Sequence, residues 1–356
     1  MINVGITGGE TLAAGELIRI LINHPDVNLA SVISDVYPGR PLTEIHRGLE
    51  GDTTLSFSPR FTPETLSKLN VIFLCGEPWQ AEKLMAEIPT DTSEGDDAPL
   101  RIIDLTGRYR SMDGAMVYGL PENNRKALVR GATRAAIPSP GAMAIELALF
   151  PFLKGALLSG NIEATLEMAS TENFVRHSMS QSISPEISTR FDPVAPAQYR
   201  SDAETIAAEI EAWAKSLQPT FSGNIRIRLK RSDEPRGIAA SVEVPVSMPV
   251  ADIRRIFDEA YEDHSFTYPI SHRPETSEVA NTNKCLIEIS DSTLPDDIGG
   301  IRNSNTLLQP GTQSAVTIHS VIDNLLKGGA GNAVHCMNLL FGLSERTGLA
   351  LKASAF

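Results

Sequence analysis

The stretch INVGITGGETLAAGELIRILI, from Ile2 to Ile22, decides the fold of this chain. INVGIT is mostly apolar and has the length of a buried strand, and LAAGELIRILI places Leu17, Ile18 and Leu21 on one face of a helix. Glycines separate the two patterns. A strand, a glycine turn and a helix in this order form a site where the helix N-terminus faces an anion such as pyrophosphate. The stretch therefore predicts the first strand–helix unit of an α/β fold.

Four further apolar runs continue this pattern toward residue 140. They are NLASVIS (Asn28–Ser34), VIFLC (Val71–Cys75), RIIDLT (Arg101–Thr106) and RAAI (Arg134–Ile137), with helical patterns between some of them. Strands that are apolar throughout are buried on both faces, which is typical of parallel sheets covered by helices. The chain is thus predicted to begin with a Rossmann-type, doubly wound parallel sheet.

The pattern then changes to strict alternation of apolar and polar residues. NIRIRLK (Asn224–Lys230) and SVEVPV (Ser241–Val246) alternate as strands do when one face of their sheet is covered. Before them, Ser201 and Glu204 form a capping-box pattern, which predicts a helix that begins at Ser201. These features predict an α+β domain built on a mixed sheet.

A glycine-rich turn near the C-terminus leads into a last helix. In KGGAGNAVHCMNLLFGL (Lys327–Leu343), Val334, Met337 and Phe341 share one face. The pattern predicts a helix with these three residues on its apolar face.

The composition argues against two classes of partner. The 356 residues include 44 Asp and Glu against 31 Lys and Arg, a net charge of −13, so neither nucleic acid nor an anionic membrane is expected as the main partner. No apolar run reaches the roughly 18 residues of a membrane-spanning helix, and we expect a cytoplasmic protein.

The three cysteines are Cys75, Cys285 and Cys336. They are far apart and odd in number, which supports neither a disulfide framework nor a metal site.

The glycine turn after the first strand departs from a dinucleotide-binding motif. Read as G-x-x-G-x-x-G from Gly8, it has Thr11 and Ala14 at the second and third glycine positions, and Glu10 brings a carboxylate toward the expected phosphate. A working cofactor loop and a plain strand–helix turn are equally consistent with it. Asp35, just beyond the second strand, favours NAD over NADP because an acidic residue there can accept from the ribose; a solvated turn residue is the alternative.

A second helix start carries the main question about chemistry. In IPSPGAMAIELALF (Ile137–Phe150), Pro140 and Gly141 open a helix, and Ala142 follows. The first turn of a helix stabilises a thiolate, so this is a favourable place for a cysteine nucleophile. The chain has a methyl group there instead.

Several long stretches together resemble N-acetyl-gamma-glutamyl-phosphate reductase, a family of the semialdehyde dehydrogenase group. They are GELIRILINHPDVNLASVIS, PGRPLTEIHRGLEG, VYGLPENNR and IDNLLKGGAGNAVHCMNLLFGLSERTGL, in the family's order and spacing. The resemblance implies a Rossmann domain over residues 1–140, a mixed-sheet substrate and oligomerisation domain over 141–322, and a C-terminal helix over 323–356 that returns to the first domain. It also implies a homo-oligomer, a dimer or tetramer, that acts on a small metabolite.

In the family a cysteine attacks the acyl phosphate, the thioester takes hydride from NADPH, and a histidine does acid–base work. Where the enzymes have Asn-Pro-Gly-Cys, this chain has Ser139, Pro140, Gly141 and Ala142, and in SQSISPEI Gln181 and Ile183 stand at the histidine positions. The glycine-rich substrate loop is also shortened, and Asp35 replaces an arginine that holds the NADP phosphate. These departures predict a homologue that has lost the covalent thioester chemistry.

A bound cofactor, NAD or NADP with NAD favoured, would be held by residues from several loops. The residues expected to hold it are Gly8, Glu10, Thr11, Leu12, Ser34, Asp35, Cys75, Gly76, Ser139, Gly141, Asn324 and Gly331. Asp104, Arg110 and Glu122 also match the family, but a cap, a buried ion pair or a tight turn would retain them equally.

Other residues could replace the missing groups. Cys75 could face a nicotinamide, although a buried strand cysteine is more often a small hydrophobe; Cys285 and Cys336 are expected in the core. His177 could turn toward the cleft, and Ser139 has no recognisable His–Asp partners for a hydrolase. Two further hypotheses stay open: an NAD-dependent oxidoreductase that transfers hydride without a covalent step, and a non-catalytic partner that assembles through the second domain's sheet.

Overall fold

The computed structural model describes residues 1–88, 99–172, 196–291 and 314–353. They fall into two compact units. The first unit is made mainly of Met1–Ser139 and Leu325–Lys352, and the second mainly of Pro140–Ser170 and Val194–Asn324. Each unit is built around a six-stranded sheet.

The sheet of the first unit is entirely parallel. Its strands are β1 (Ile2–Thr7), β2 (Val27–Val32), β3 (Val71–Leu74), β4 (Arg101–Asp104), β5 (Val117–Tyr118) and β6 (Arg134–Ala136), in the order β2-β1-β3-β4-β6-β5. The chain runs from β1 to β2 on one side and then crosses to β3 on the other. Ligands of such sheets bind at this switch of direction, outside the carboxyl ends of the strands. The predicted Rossmann-type sheet is confirmed.

Five helices connect these strands and one returns from the C-terminus. They are α1 (Leu12–Leu21), α2 (Leu42–Ile45), α3 (Pro63–Leu66), α4 (Pro78–Glu87), α5 (Pro121–Val129) and, at the end of the chain, α9 (Ala330–Leu340). Helix α1 buries Leu17, Ile18 and Leu21, as its periodicity predicts. Helix α9 packs against α1 and α5.

The sheet of the second unit is mixed. Its strands are β7 (Ile162–Met168), β8 (Ile225–Arg231), β9 (Ile238–Val246), β10 (Thr267–Ile270), β11 (Cys285–Asp291) and β12 (Ser314–Ile322), in the order β10-β11-β12-β9-β7-β8. The pairs β7–β8 and β10–β11 are parallel, and the others are antiparallel. The α+β character predicted from strand alternation is confirmed.

Three helices pack against this second sheet: α6 (Pro140–Lys154), α7 (Pro196–Leu217) and α8 (Val250–Tyr261). Helix α6 is buried from Gly141 to Leu153, which fits its almost wholly apolar sequence. Within the part of the chain that the structure describes, no helix is long and apolar enough to cross a membrane.

One expected helix start is wrong, and the last helix is buried more completely than its apolar face indicates. Helix α7 begins at Pro196, so Ser201 lies inside it and cannot be its N-cap, because an N-cap residue has non-helical backbone. Helix α9 buries Val334 and Met337 as predicted, and its other sides are buried too, including the polar Asn332, His335 and Asn338. Hydrogen bonds that these side chains donate or accept explain their burial.

Candidate functional site

The turns after β1 and β3 touch at the switch of the first sheet. Gly8 has φ +61°, and a Cβ added there would lie 2.2 Å from the backbone of Gly76. Only glycine tolerates both the left-handed conformation and the contact. The structure thus brings the predicted residues Gly8 and Gly76 into contact, and this contact leaves no room for a side chain at Gly8.

The start of α1 is organised by Thr11. The Thr11 Oγ1 accepts from the N–H of Ala14 at 3.2 Å and donates to the Gly8 carbonyl at 3.0 Å, which makes Thr11 the N-cap. In the described residues, the N–H groups of Leu12 and Ala13 are not taken by a protein acceptor. Two donors at the positive end of a helix can therefore receive an anion.

Glu10 lies in this turn, and its carboxylate is half-buried. Burial raises the pKa of Glu10 above its ordinary value, and the charge of Asp35 acts in the same direction. Hydrogen bonds from its own backbone N–H and from the Ser34 hydroxyl act in the opposite direction. Its Oε2 atom is buried and has no hydrogen-bond partner in the described part of the chain. Glu10 thus brings a negative charge to the place where the helix N-terminus favours an anion.

The residues after β2 form a tight turn beside Glu10. Ser34 is fully buried, and its Oγ accepts from the N–H groups of Val36 and Tyr37 at 3.2 and 3.0 Å. Asp35 is exposed. Its Oδ2 accepts a hydrogen bond of 2.6 Å from Nε2 of Gln80 in α4. Asp35 therefore faces solvent with one oxygen fixed by a residue from another loop.

The turn after β3 contains Cys75 and leads into α4. Burial strongly raises the pKa of the Cys75 thiol, and Asp104 and Glu10 add to the effect. A thiol with a raised pKa is a weak nucleophile at neutral pH. The N–H of Glu77 donates to Oε1 of Gln80 at 2.7 Å, half of a capping box at the start of α4. Cys285 and Cys336 are fully buried, as expected for core residues.

His46 contacts the turn after β1, and the sequence analysis did not predict it as a site residue. Its Nε2 lies 2.6 Å from the Gly9 carbonyl. Burial lowers the pKa of His46, and the contacts with Gly9 and Glu16 oppose that shift. A Cβ at Gly15 would lie 2.6 Å from Nδ1 of His46, so this glycine makes room for the imidazole. The only sequence signal was its place in PGRPLTEIHRGLEG, a stretch that matches the family.

Asp104 and Arg110, two residues that match the family, hold the loop after β4 in place by hydrogen bonds. Asp104 is fully buried, and its carboxylate accepts from the N–H groups of Thr106 and Tyr109 at 2.9 and 3.1 Å. Arg110 donates from Nε to the Ile137 carbonyl at 2.7 Å. These contacts fix the chain around the carboxyl ends of β4 and β6.

The start of α6 is closed to solvent. Ser139, at the end of the first unit, is 4% exposed, and Ala142, in the second unit, is 0% exposed. A Cβ at Gly141 would lie 3.0 Å from Ile206 and 3.2 Å from Leu166. The start of α6 therefore has a buried methyl group at the position where the family resemblance implies a cysteine nucleophile.

The remaining predicted residues divide between the two units. Asn324, in the second unit, is buried, and its Oδ1 accepts from the N–H of Gly237 at 2.9 Å. Gly331, in the first unit, lies in the buried first turn of α9. Gln181 and Ile183, and also His177, lie outside the described residues. Among the residues that the structure describes, no three His, Cys, Asp or Glu side chains group as a metal site.

A buried polar network joins α9 and α5 within the first unit. Lys327 Nζ lies 2.7 Å from Glu122 Oε1, with both side chains almost completely buried. Asn332 donates to the Gly119 carbonyl at 2.6 Å. Glu345 binds His335 at 2.8 Å and Arg125 at 2.6 Å, and the hydrogen bond from His335 lowers the pKa of Glu345. A helix cap, a buried ion pair and a tight turn were the possible structural roles of Glu122, and the structure shows the buried ion pair.

Comparisons with known proteins cover both units. Residues 3–130 match the semialdehyde dehydrogenase NAD-binding domain, and residues 142–297 match the semialdehyde dehydrogenase dimerisation domain. The chain is 36% identical to N-acetyl-gamma-glutamyl-phosphate reductase of Parabacteroides distasonis and 34% identical to that of Bacteroides thetaiotaomicron, in both cases over 100% of each chain.

Solved structures agree on the fold. Aspartate semialdehyde dehydrogenase II from Vibrio cholerae superposes with a TM-score of 0.63 at 16% identity, over 96% of this chain and 99% of that one. Full-length identity above one third and two matching domains have one explanation: the chain belongs to the N-acetyl-gamma-glutamyl-phosphate reductase family of the semialdehyde dehydrogenases.

Proposed function

We propose that this chain binds a nicotinamide dinucleotide in its first unit, with NAD preferred over NADP, and does not reduce an acyl phosphate through a thioester. The observation that carries the proposal is Ala142, a buried methyl group in the first turn of α6. The match to the semialdehyde dehydrogenase NAD-binding domain supports the cofactor class.

The absence of a thiol at Ala142 removes the covalent step that the family resemblance implies. A methyl group has no lone pair with which to attack a carbonyl carbon. Cys75 and Cys336 are poor substitutes, because burial raises the pKa of both thiols and keeps them protonated. Loss of a covalent nucleophile costs on the order of a million-fold in turnover.

The turn after β1 has the backbone that a pyrophosphate requires. Gly8 allows close approach, and the N–H groups of Leu12 and Ala13 lie at the positive end of α1. The Glu10 carboxylate opposes binding by its charge. It must turn toward solvent or take up a proton before an anion can occupy the helix N-terminus.

Asp35 supports the preference for NAD. Its carboxylate lies just after β2, where it can accept a hydrogen bond from the adenosine ribose and repel a 2′-phosphate. When bound, the cofactor would supply a nicotinamide ring that accepts hydride in the oxidised form and donates it in the reduced form. The protein's own contribution is then to bind and orient: the α1 N-terminus for the pyrophosphate, Asp35 for the ribose, and Cys75 as a protonated, apolar contact.

Titration calorimetry with NADH and NADPH tests the cofactor part of the proposal. Micromolar binding of NADH with weaker binding of NADPH is expected. No binding of either at millimolar concentration would overturn the proposed dinucleotide site.

A turnover assay with N-acetyl-gamma-glutamyl phosphate and NADPH or NADH tests the chemical part, with the P. distasonis relative as the positive control. Turnover should be lower than the control by about a million-fold. Ala142→Cys should remain far below the control, because Gln181 and Ile183 still stand at the positions that resemble the family's histidines. Wild-type turnover similar to that of the control would contradict the loss of chemistry.

A second proposal concerns assembly through the second unit, which matches a dimerisation domain. Helices cover one face of its sheet, and the opposite face carries half-buried polar side chains such as Thr165, Ser241 and Thr317 on adjacent strands. A second copy of the chain would bury this face. Light scattering should give a homo-oligomer that Ser241→Arg weakens, whereas a wild-type monomer at micromolar concentration would exclude this assembly.

A further inference from the structure

Gln80 links two loops that approach the candidate cofactor site from opposite sides. Asp35 follows β2 and Gln80 begins α4 after β3, while β1 lies between these strands in the sheet. The side chain of Gln80 therefore spans the turn of β1 to reach Asp35.

The Gln80 amide is held at both ends. Its Oε1 accepts from the N–H of Glu77 at 2.7 Å, so its Nε2 must face away from α4, and there it donates to Asp35 Oδ2 at 2.6 Å. The orientation of the amide is thus fixed by one backbone donor and one carboxylate. A Cβ at Gly76 would lie 2.0 Å from Gln80 Oε1, so the glycine at this position also keeps the amide in place.

This arrangement decides what Asp35 can do. An exposed aspartate rotates freely between solvent-facing conformations, but a charge-assisted hydrogen bond restrains the carboxylate. With Oδ2 held by Gln80, Oδ1 is available to accept from a ribose hydroxyl. The same restraint prevents the carboxylate from rotating away from a 2′-phosphate, so the repulsion is retained.

We propose that Gln80 is the positioning residue that holds Asp35 toward the ribose and thereby sets the preference for NAD over NADP. The inference rests on the proposed dinucleotide site. It adds that the preference depends on the amide that orients Asp35 as well as on Asp35 itself.

The test compares dissociation constants for NADH and NADPH in the full-length protein and in Gln80→Met. Methionine keeps the length of the side chain and removes both hydrogen bonds. The Kd for NADPH divided by the Kd for NADH should fall roughly tenfold, mainly because NADH binds more weakly. The reason is the loss of one hydrogen bond to a charged group. Lys83→Met places the same side chain at an exposed position of α4 and should leave the ratio unchanged.

A second comparison separates positioning from general damage. In an Asp35→Ala background, Gln80→Met should no longer change the ratio, because there is no carboxylate left to orient. If wild type prefers NADH and Gln80→Met keeps the same ratio, the role of Gln80 is overturned and the proposed function stands. If wild type binds neither dinucleotide, both fail.

Discussion

Glu10 and Glu122 are two carboxylates withdrawn from solvent in the same unit, and their surroundings are opposite. Glu122 is almost completely buried with Lys327 Nζ at 2.7 Å. Glu10 is half-buried without a cation beside it among the described residues; burial raises its pKa and the charge of Asp35 adds to that shift, whereas hydrogen bonds from its own N–H and from Ser34 oppose it. A buried charge that is paired has a structural explanation, whereas one that is placed beside a like charge costs stability. Glu122 is therefore expected to contribute to stability through its partner, whereas Glu10 is expected to lower stability when it is charged.

The largest expected effect comes from breaking the paired carboxylate. Lys327→Met should lower the free energy of unfolding by about 3–5 kcal/mol, because it leaves the Glu122 charge buried without its cation. Guanidinium denaturation followed by circular dichroism measures this. Lys68→Met is the matched control, since its partner Glu64 is exposed and such pairs contribute about 0–1 kcal/mol.

A double variant checks the reason for that loss. Adding Glu122→Gln to Lys327→Met removes the unpaired charge, so the double variant should be more stable than Lys327→Met alone. A Lys327→Met variant as stable as wild type, or a double variant less stable than the single one, would mean that the ion pair does not explain the burial of Glu122.

The next effect concerns dinucleotide binding at Glu10. Glu10→Gln removes a negative charge from the N-terminus of α1, and NADH should bind roughly tenfold more tightly or better, since each 1.4 kcal/mol is a factor of ten. Calorimetry at neutral pH measures it. Glu87→Gln, at an exposed position of α4, is the control and should leave the affinity unchanged. Unchanged affinity in Glu10→Gln would show that the carboxylate already points away from the cofactor.

Local patterns in the sequence predicted most of the first unit's sheet. The continuous apolar runs identified five of its six parallel strands, and Pro140–Gly141 identified the start of α6, because both signals are local. The two-residue strand β5 and helix α5, which carries Glu122, were not predicted. The capping-box pattern at Ser201 failed because α7 already begins at Pro196, and a proline in the first turn is itself a helix-start signal.

The contacts that define the site joined residues far apart in the chain. Gln80 lies 45 residues from Asp35, His46 lies 37 residues from Gly9, and Lys327 lies 205 residues from Glu122. No periodicity encodes such pairs, because they follow from which strand ends the topology brings together. Glu77 and Gln80 are three residues apart at the start of α4, a capping-box spacing that could have indicated the helix start but was not used to predict it.

The smallest expected effect is the pH dependence that Glu10 gives to stability. The folded pKa of Glu10 is raised above its ordinary value of 4.5, so the folded state holds the proton more strongly than the unfolded state. Stability therefore falls as pH rises from the unfolded pKa through the folded one, and the cost is fully present above it. Glu10→Gln should then be more stable than wild type at neutral pH by at most about 1 kcal/mol, after allowing for solvent screening of a half-exposed group. The difference should disappear below the unfolded pKa. Denaturation curves at several pH values measure it, and a difference that grows on acidification would mean that the Ser34 and backbone hydrogen bonds outweigh burial.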